Sequence, residues 1–250
     1  MLYTKRVEFI LQELQLGKSV KVADLSKTLQ VSVDTIRRDL KALEQEGLIK
    51  YVRGGACLPD SMLSFSNFTG REIVNAQLKR EASRKALAYI KEGDIVAINS
   101  GTTNTVLAQE LAGLNKRFTV VTNNYAALTI LMQNPLIKLI SIGGDVDGLE
   151  RSSYGAQCVR EFDEYIPDIA FLSINAVNAL DGFTDFRLNE IPIIKLLAKN
   201  SKRVIAVMDS SKFNKISKRK VLALDDVDIL ITDSQAKHLE TFIKEGLNVK

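Results

Sequence analysis

Several short clusters of Ser, Thr, Asn and Gly could grip an anion, and each directly follows an apolar run. The first is Asn99-Ser100-Gly101-Thr102-Thr103, after "DIVAI". Gly101 lets the backbone come close to a ligand, and the hydroxyls of Thr102 and Thr103 can donate to it. A helix starting at this point favours negative charge at its N-terminus. Thr122-Asn123-Asn124 follow a second run and Gly143-Gly144-Asp145 a third. Asn175 follows a fourth, and Asp209-Ser210-Ser211-Lys212 a fifth, where Lys212 adds a positive charge. Taken singly, each cluster is ordinary strand-to-helix turn chemistry. Five of them on one rim would make a phosphate cradle. None matches GxxxxGK[ST], and "GGDVDG" is not a nucleotide fingerprint.

The clusters meet only if the chain brings them together. From about Ala76, the runs "DIVAIN", "FTVVTN", "IKLISIGG", "DIAFLSIN", "RVIAVMD" and "DILITD" alternate with helical patterns. That alternation predicts an α/β domain with a mostly parallel sheet covered by helices, spanning 76–250. Ligands of such sheets bind beyond the carboxyl ends of the strands. Residues 58–75 show little periodicity and read as a linker anchored by Phe65 and Phe68.

Residues 1–57 read as a separate small domain. Val7, Ile10, Leu11 and Leu14 recur at helical spacing over 3–15, with Gly17 as the stop. "SVKV" is β-like, "VADLSKTL" is a second helix, and "QVS" is a turn. Ser32 then caps a longer helix whose apolar stripe is Val33, Ile36, Leu40 and Leu43, with Gly47 at its end. Its other face carries Asp34, Thr35, Arg37, Arg38 and Lys41. A strand and a turn at Gly54-Gly55 follow, placing Arg53 on a wing. This is the order of a helix-turn-helix, whose second helix enters the DNA major groove by its N-terminal end. Arg37 and Arg38 have the donor fork for guanine edges or phosphates. Asp34, Asp39, Glu44 and Glu46 lie on the same helix, so a merely solvated charged face is the competing reading.

The length suits one large domain or a medium domain plus a small one, and the composition is that of an ordinary soluble chain. The 250 residues are 46% hydrophobic and 26% charged, with a net charge of +4. Residues 1–57 carry ten Lys/Arg against seven Asp/Glu, so most of the excess sits in the first quarter, a hint of a nucleic-acid partner. Cys57 and Cys158 stand in no metal-like spacing, and neither a metal site nor a disulfide is expected. The single histidine, His238, reads as a surface helix residue. No secretory signal or membrane span is visible, so the expected location is the cytoplasm.

The stretch "VADLSKTLQVSVDTIRRDLKALEQEGLIKYVRGGA" resembles the winged helix-turn-helix of the DeoR/GlpR family of bacterial transcriptional regulators. The segments "INSGTT", "VVTNN", "IGG", "GFT" and "DSSKF" resemble that family's C-terminal sensor domain, similar in fold to ribose-5-phosphate isomerase. The resemblance implies a repressor of a carbohydrate operon, an operator DNA partner, a homo-oligomer and a phosphorylated sugar or sugar alcohol as effector. No cofactor is implied. DNA contacts fall on Ser32, Asp34, Thr35, Arg37, Arg38, Lys41 and Arg53. Effector contacts fall on Asn99 to Thr103, Thr122, Asn123, Asn124, Gly143, Gly144, Asn175, Glu190 and Lys212. The chain departs from the family in Arg53, where histidine is usual, and in Asn99, where aspartate is usual.

The isomerase likeness raises an alternative: a sugar-phosphate isomerase with a basic N-terminal appendage. Aldose–ketose isomerisation needs a carboxylate base and proton shuttles. Against the enzymes' D-x-A-x-D-G-A-D-E pattern, this chain places Leu172, Asn175 and Ala176 at the later acids. A following Glu-Lys pair falls on Glu190-Ile191. Leucine moves no proton and asparagine has no usable pKa. The expectation is a sensor with no catalytic residue.

Overall fold

The structure, a computed structural model, describes residues 2–16, 19–57 and 68–250. It divides into two units, residues 1–75 and 76–250.

In the first unit the expected periodicities become helices α1 (Tyr3–Leu16), α2 (Val22–Leu29) and α3 (Val33–Gln45). Strands β1 (Ser19–Lys21), β2 (Lys50–Val52) and β3 (Gly55–Cys57) form an antiparallel sheet in the order β1-β3-β2. Val7, Ile10, Leu11, Leu14, Leu25, Ile36, Leu40 and Leu43 close one core between the helices. The α2–α3 turn is made by Gln30 in the left-handed region (φ 53°) and by Ser26 Oγ donating to the Val31 carbonyl at 2.6 Å. Ser32 Oγ then accepts from Thr35 N–H at 3.1 Å, a cap that contributes about 1 kcal/mol to the helix. Gly55 has no space for a side chain, since a Cβ there would run into the Val20 carbonyl of β1.

The linker expectation changes at its second half. Phe68–Ile73 is a short helix, α4, with Phe68 buried. Ile73 and Val74 pack against the helix-turn-helix core, and Gln12 Nε2 donates to Asn75 Oδ1 at 3.3 Å. Asn75, at φ 57°, supplies the left-handed stop. The aperiodic composition hid this because a six-residue helix is too short to show a repeat. Gly17, Phe65 and residues 58–67 lie outside the described residues.

The second unit opens with helix α5 (Ala76–Ala86) and is built on β4 (Ile95–Ile98), β5 (Phe118–Thr122), β6 (Ile137–Ser141), β9 (Ile169–Leu172), β12 (Val204–Val207) and β14 (Ile229–Ile231). Two short strands, β7 (Asp145–Asp147) and β8 (Ser152–Tyr154), form a hairpin beside the sheet. The main sheet runs β14-β12-β9-β4-β5-β6, parallel throughout. Its strands are the six runs read in the sequence, apolar because helices cover both faces. Helices α6 (Thr102–Leu111) and α7 (Tyr125–Leu131) join α5 on one core; α8 (Gly155–Asp163) and α9 (Ile191–Asn200) join the other. A separate antiparallel sheet of β10 (Ala176–Asn178), β11 (Gly182–Asp185) and β13 (Arg219–Leu222) escaped the sequence reading. Its strands of three or four residues carry too little alternation to stand out. A last helix, α10 (Glu240–Lys244), begins just after His238, which is exposed but lies in a left-handed turn (φ 58°) rather than in a helix.

Strand order reverses direction at β4. From there the chain moves outward through β5 and β6, then crosses to β9 and continues through β12 to β14. The crevice at the carboxyl ends of β4 and β9 is therefore the switch point where such sheets bind ligands.

Candidate functional sites

On α3 the acidic residues are sorted by partner. Asp39 is buried and takes Arg6 of α1 on both oxygens, Nε at 2.6 Å and Nη2 at 3.0 Å. This contact holds Arg6 charged, above its usual range, chiefly through the hydrogen bond to Asp39. Glu44 Oε1 accepts from the Tyr51 N–H at 2.8 Å and ties the first wing strand to the helix. With Asp39 and Glu44 engaged in holding the fold, Arg37, Arg38 and Lys41 share an exposed face with Asp34. Asp34 pairs with Arg37 at 3.2 Å, both well exposed, and such a pair contributes little in water. Arg37 is therefore free to turn to a better acceptor. The hydroxyls of Ser32 and Thr35 lie 2.8 Å apart at the helix start. Arg53 is exposed at the wing tip, beside Gly54 at φ 86°. One expectation changes here: Val33 does not join the apolar stripe. Ile36, Leu40 and Leu43 are fully buried, while Val33 is 38% exposed because it lies at the first helical position, past the edge of the core.

At the switch point, Ser100 and Gly101 leave β4 and open α6. Gly101 adopts φ 130°, and a Cβ there would meet Ser173 Oγ at 2.5 Å and Arg187 Nη1 at 2.9 Å. The first N–H groups of α6 have no intrahelical acceptor, and no acid lies in its first turn. Thr102 and Thr103 sit at that turn, each 5% exposed.

Around this turn lies a buried polar cluster. Glu190 Oε1 accepts from the Ser100 N–H at 2.8 Å, and Asn123 Nδ2 approaches its Oε2 at 3.3 Å. Burial pushes the Glu190 carboxyl above its usual range, against the opposing pull of Arg187 and the Ser100 N–H. Arg187 is the organiser. Its Nε and Nη2 donate to Asp185 at 3.0 and 2.6 Å, Nη1 donates to the Ser100 carbonyl at 2.9 Å, and Nη2 to the Ser173 carbonyl at 2.7 Å. It thus bridges the ends of β4 and β9. Burial works against its charge, but the Asp185 carboxylate more than offsets this and holds it above its ordinary range.

The rim residues divide by what they touch. Asn99 faces inward: its Oδ1 accepts from the Ser173 and Asn104 donors at 2.8 and 2.9 Å, locking β4 to β9 and α6. Thr122 Oγ1 donates to the Ile98 carbonyl, and Asn124 Oδ1 caps α7 at Ala127 N–H. Gly143 N–H donates to Glu161 on α8 at 2.7 Å, and Gly144 lies against Tyr154 and Cys158. Asn175 N–H donates to Asp185 Oδ2 at 3.0 Å. Lys212 sits in the turn after β12. Asn99, Ser100, Asn123 and Glu190 are thus joined in one network, with Gly101, Thr102 and Thr103 beside it. The sequence reading missed Asp185, Arg187 and Ser173. A charged D-x-R pair directly after an apolar "GFT" was the available signal.

Burial pushes the Cys158 thiol up to about 12, against the opposing pull of its hydrogen bond with Ser153. Among the described residues, no group of His, Cys, Asp and Glu is placed to hold a metal, and no helix is long and apolar enough to cross a membrane.

Comparison with known proteins covers nearly the whole chain. Residues 6–62 match a family model described as a DeoR-like helix-turn-helix domain, and residues 74–234 one described as a DeoR C terminal sensor domain. The chain is 33% identical to the HTH-type transcriptional regulator GolR of Listeria innocua serovar 6a, over 98% of this chain and 97% of that protein. It is 31% identical to a putative aga operon transcriptional repressor of Escherichia coli O157:H7, over 98% and 93%. It is also 31% identical to the lactose phosphotransferase system repressor of Lactococcus lactis subsp. lactis, over 95% and 94%. Among solved structures, a ribose 5-phosphate isomerase A from Methanocaldococcus jannaschii aligns with a TM-score of 0.42 at 19% identity, over 56% of this chain and 55% of that one.

Proposed function

Because this chain belongs to the DeoR family of transcriptional regulators, we propose that it represses a carbohydrate-utilisation operon and releases its operator when a phosphorylated sugar or sugar alcohol binds the sensor unit. The observation that carries the proposal is the pairing, in one chain, of a capped helix with an exposed Arg37-Arg38-Lys41 face and a glycine-opened helix N-terminus at a sheet's switch point.

At the DNA end, α3 lies in the major groove with Arg37 and Arg38 toward guanine edges or phosphates. Ser32, Asp34, Thr35 and Lys41 border that contact, and Arg53 follows the backbone from the wing. At least a dimer places two such helices on paired half-sites, since two-fold proteins read two-fold operators. At the sensor end, the phosphate lies against the N–H groups of α6 with the Thr102 and Thr103 hydroxyls. Lys212 supplies charge from the turn after β12, and Arg187 organises the site through Asp185, Ser100 and Ser173. Sugar hydroxyls meet Glu190 and Asn123. The effector shifts the DNA-competent population only through a difference in its affinity for the two states, transmitted through residues 58–75.

The chain acts as a sensor rather than an isomerase, and its place of action is the cytoplasm. Glu190 is a carboxylate at the rim, but Leu172, Asn175 and Ala176 offer no second acid–base group. The test is operator binding titrated against a panel of phosphorylated sugars, with turnover of pentose and hexosamine phosphates followed in parallel. Release by one phosphosugar without turnover is the expected result. Turnover above a blank would overturn it in favour of an enzyme.

A further inference from the structure

Val33 is an anomaly of the helix it begins. The other members of its stripe, Ile36, Leu40 and Leu43, are fully buried, while Val33 is 38% exposed at the first helical position. It stands at the edge of the core with part of its side chain in solvent, and a β-branched residue is a poor helix former at an exposed site. Its neighbours on this turn are polar and already satisfied in part: Ser32 with Thr35, and Asp34 with Arg37. An apolar side chain placed there against local preference marks a position kept for a contact outside the fold.

We propose that Val33 determines specificity by packing its γ-methyls on the C5-methyl of a thymine in each half-site, next to the base pair faced by Arg37. The inference rests on the placement of α3 in the major groove. Val33 and Arg37 stand one turn apart on one face of α3, so they address neighbouring base pairs. Thymine alone among the bases carries a methyl group in that groove, and small apolar side chains read it. Valine has one strongly preferred rotamer in a helix, so little side-chain entropy is lost on contact.

Burying one methyl is worth about 0.8 kcal/mol, or about fourfold in affinity for each half-site. The experiment uses the full chain and an operator obtained by selection from random DNA. Each thymine is replaced in turn by deoxyuridine, which removes only the methyl. The parent should lose about fourfold at one thymine per half-site, and Val33→Ser should bind the methylated and unmethylated sites alike. Val33→Ile, which keeps the apolar surface, should retain the discrimination, and an unchanged circular dichroism melt checks that both variants fold. An equal deoxyuridine penalty in parent and Val33→Ser, or none at any thymine in the parent, overturns the inference. Arg37→Ala on the same DNA separates the two levels. A loss of affinity there with the penalty intact in Val33→Ser refutes the Val33 contact alone, whereas undiminished binding by both variants refutes the placement of α3.

Discussion

Replacing Arg187 by methionine should destabilise the sensor unit more than most single changes. Methionine keeps the apolar stem but removes five donated hydrogen bonds: two to Asp185 at 3.0 and 2.6 Å, one each to the Ser100 and Ser173 carbonyls at 2.9 and 2.7 Å, and a longer one to Ser100 Oγ at 3.4 Å. Asp185 would stay buried, retaining the backbone N–H groups of Asn175 at 3.0 Å and of residue 187 at 2.9 Å but no counter-charge. Breaking a buried pair by removing one partner costs about 3–5 kcal/mol. For a unit of this size, each kcal/mol moves the midpoint by about 2–4 °C, so a fall of about 6–20 °C is expected. Arg187→Met combined with Asp185→Leu should recover most of the loss, because no uncompensated charge remains. Thermal and urea unfolding by circular dichroism read the effect, and operator binding at low temperature reports whether the winged unit is intact. A loss below about 1 kcal/mol, or a double variant as unstable as the single one, would refute the view that Arg187 holds the switch point together.

Other outcomes follow from the same contacts. Arg37→Ala or Arg38→Ala should cost about 1–3 kcal/mol in operator affinity where the arginine reads a base, and parent binding should fall steeply with salt as counterions are released; unaltered affinity in both variants would count against the exposed face of α3. Thr102→Ala and Lys212→Ala should leave operator affinity intact and blunt the response to the sugar phosphate; full responses from both would move the effector elsewhere. The raised Glu190 carboxyl means the folded state holds that proton more tightly than the unfolded chain. Its contribution is complete below the ordinary carboxylate range and is lost as pH rises through the folded value, so Glu190→Gln should flatten that part of the stability–pH curve; an unchanged curve would argue against it. Gln30→Gly should stabilise the winged unit by about 0.5–1 kcal/mol, since Gln30 occupies the left-handed region at φ 53°; a lower melting point would show that the side chain contributes more than its strain costs.

What the sequence disclosed depended on the range of the interaction. Ser32 announced its cap because the acceptor serves an N–H three residues away. The six strands of the main sheet were visible because burial on both faces demands unbroken apolar runs. Gly101 stood out because a tight approach leaves only glycine. Arg187 did not stand out, because its partner Ser100 lies 87 residues away and the sequence "DFRLNE" reads as a polar loop until the fold pairs it. Asn99 shows a structural role that its position did not disclose. Its position suggested a ligand contact, and the amide also takes donors from the end of β9 and from α6, tying the strands together beside Glu190. Val33 matched a helical stripe by spacing alone, and only the position of the core's edge shows that it stands outside.

Coupling between the two units is the central claim, and reciprocity tests it most directly. If a sugar phosphate weakens operator binding by some factor, saturating operator must weaken sugar-phosphate binding by the same factor. Calorimetric titration of the phosphosugar into the full chain, with and without operator, measures that factor. The account predicts matching factors in the two directions, of about 5–150-fold for a coupling of 1–3 kcal/mol. Sugar-phosphate affinity that is the same with and without operator would contradict it.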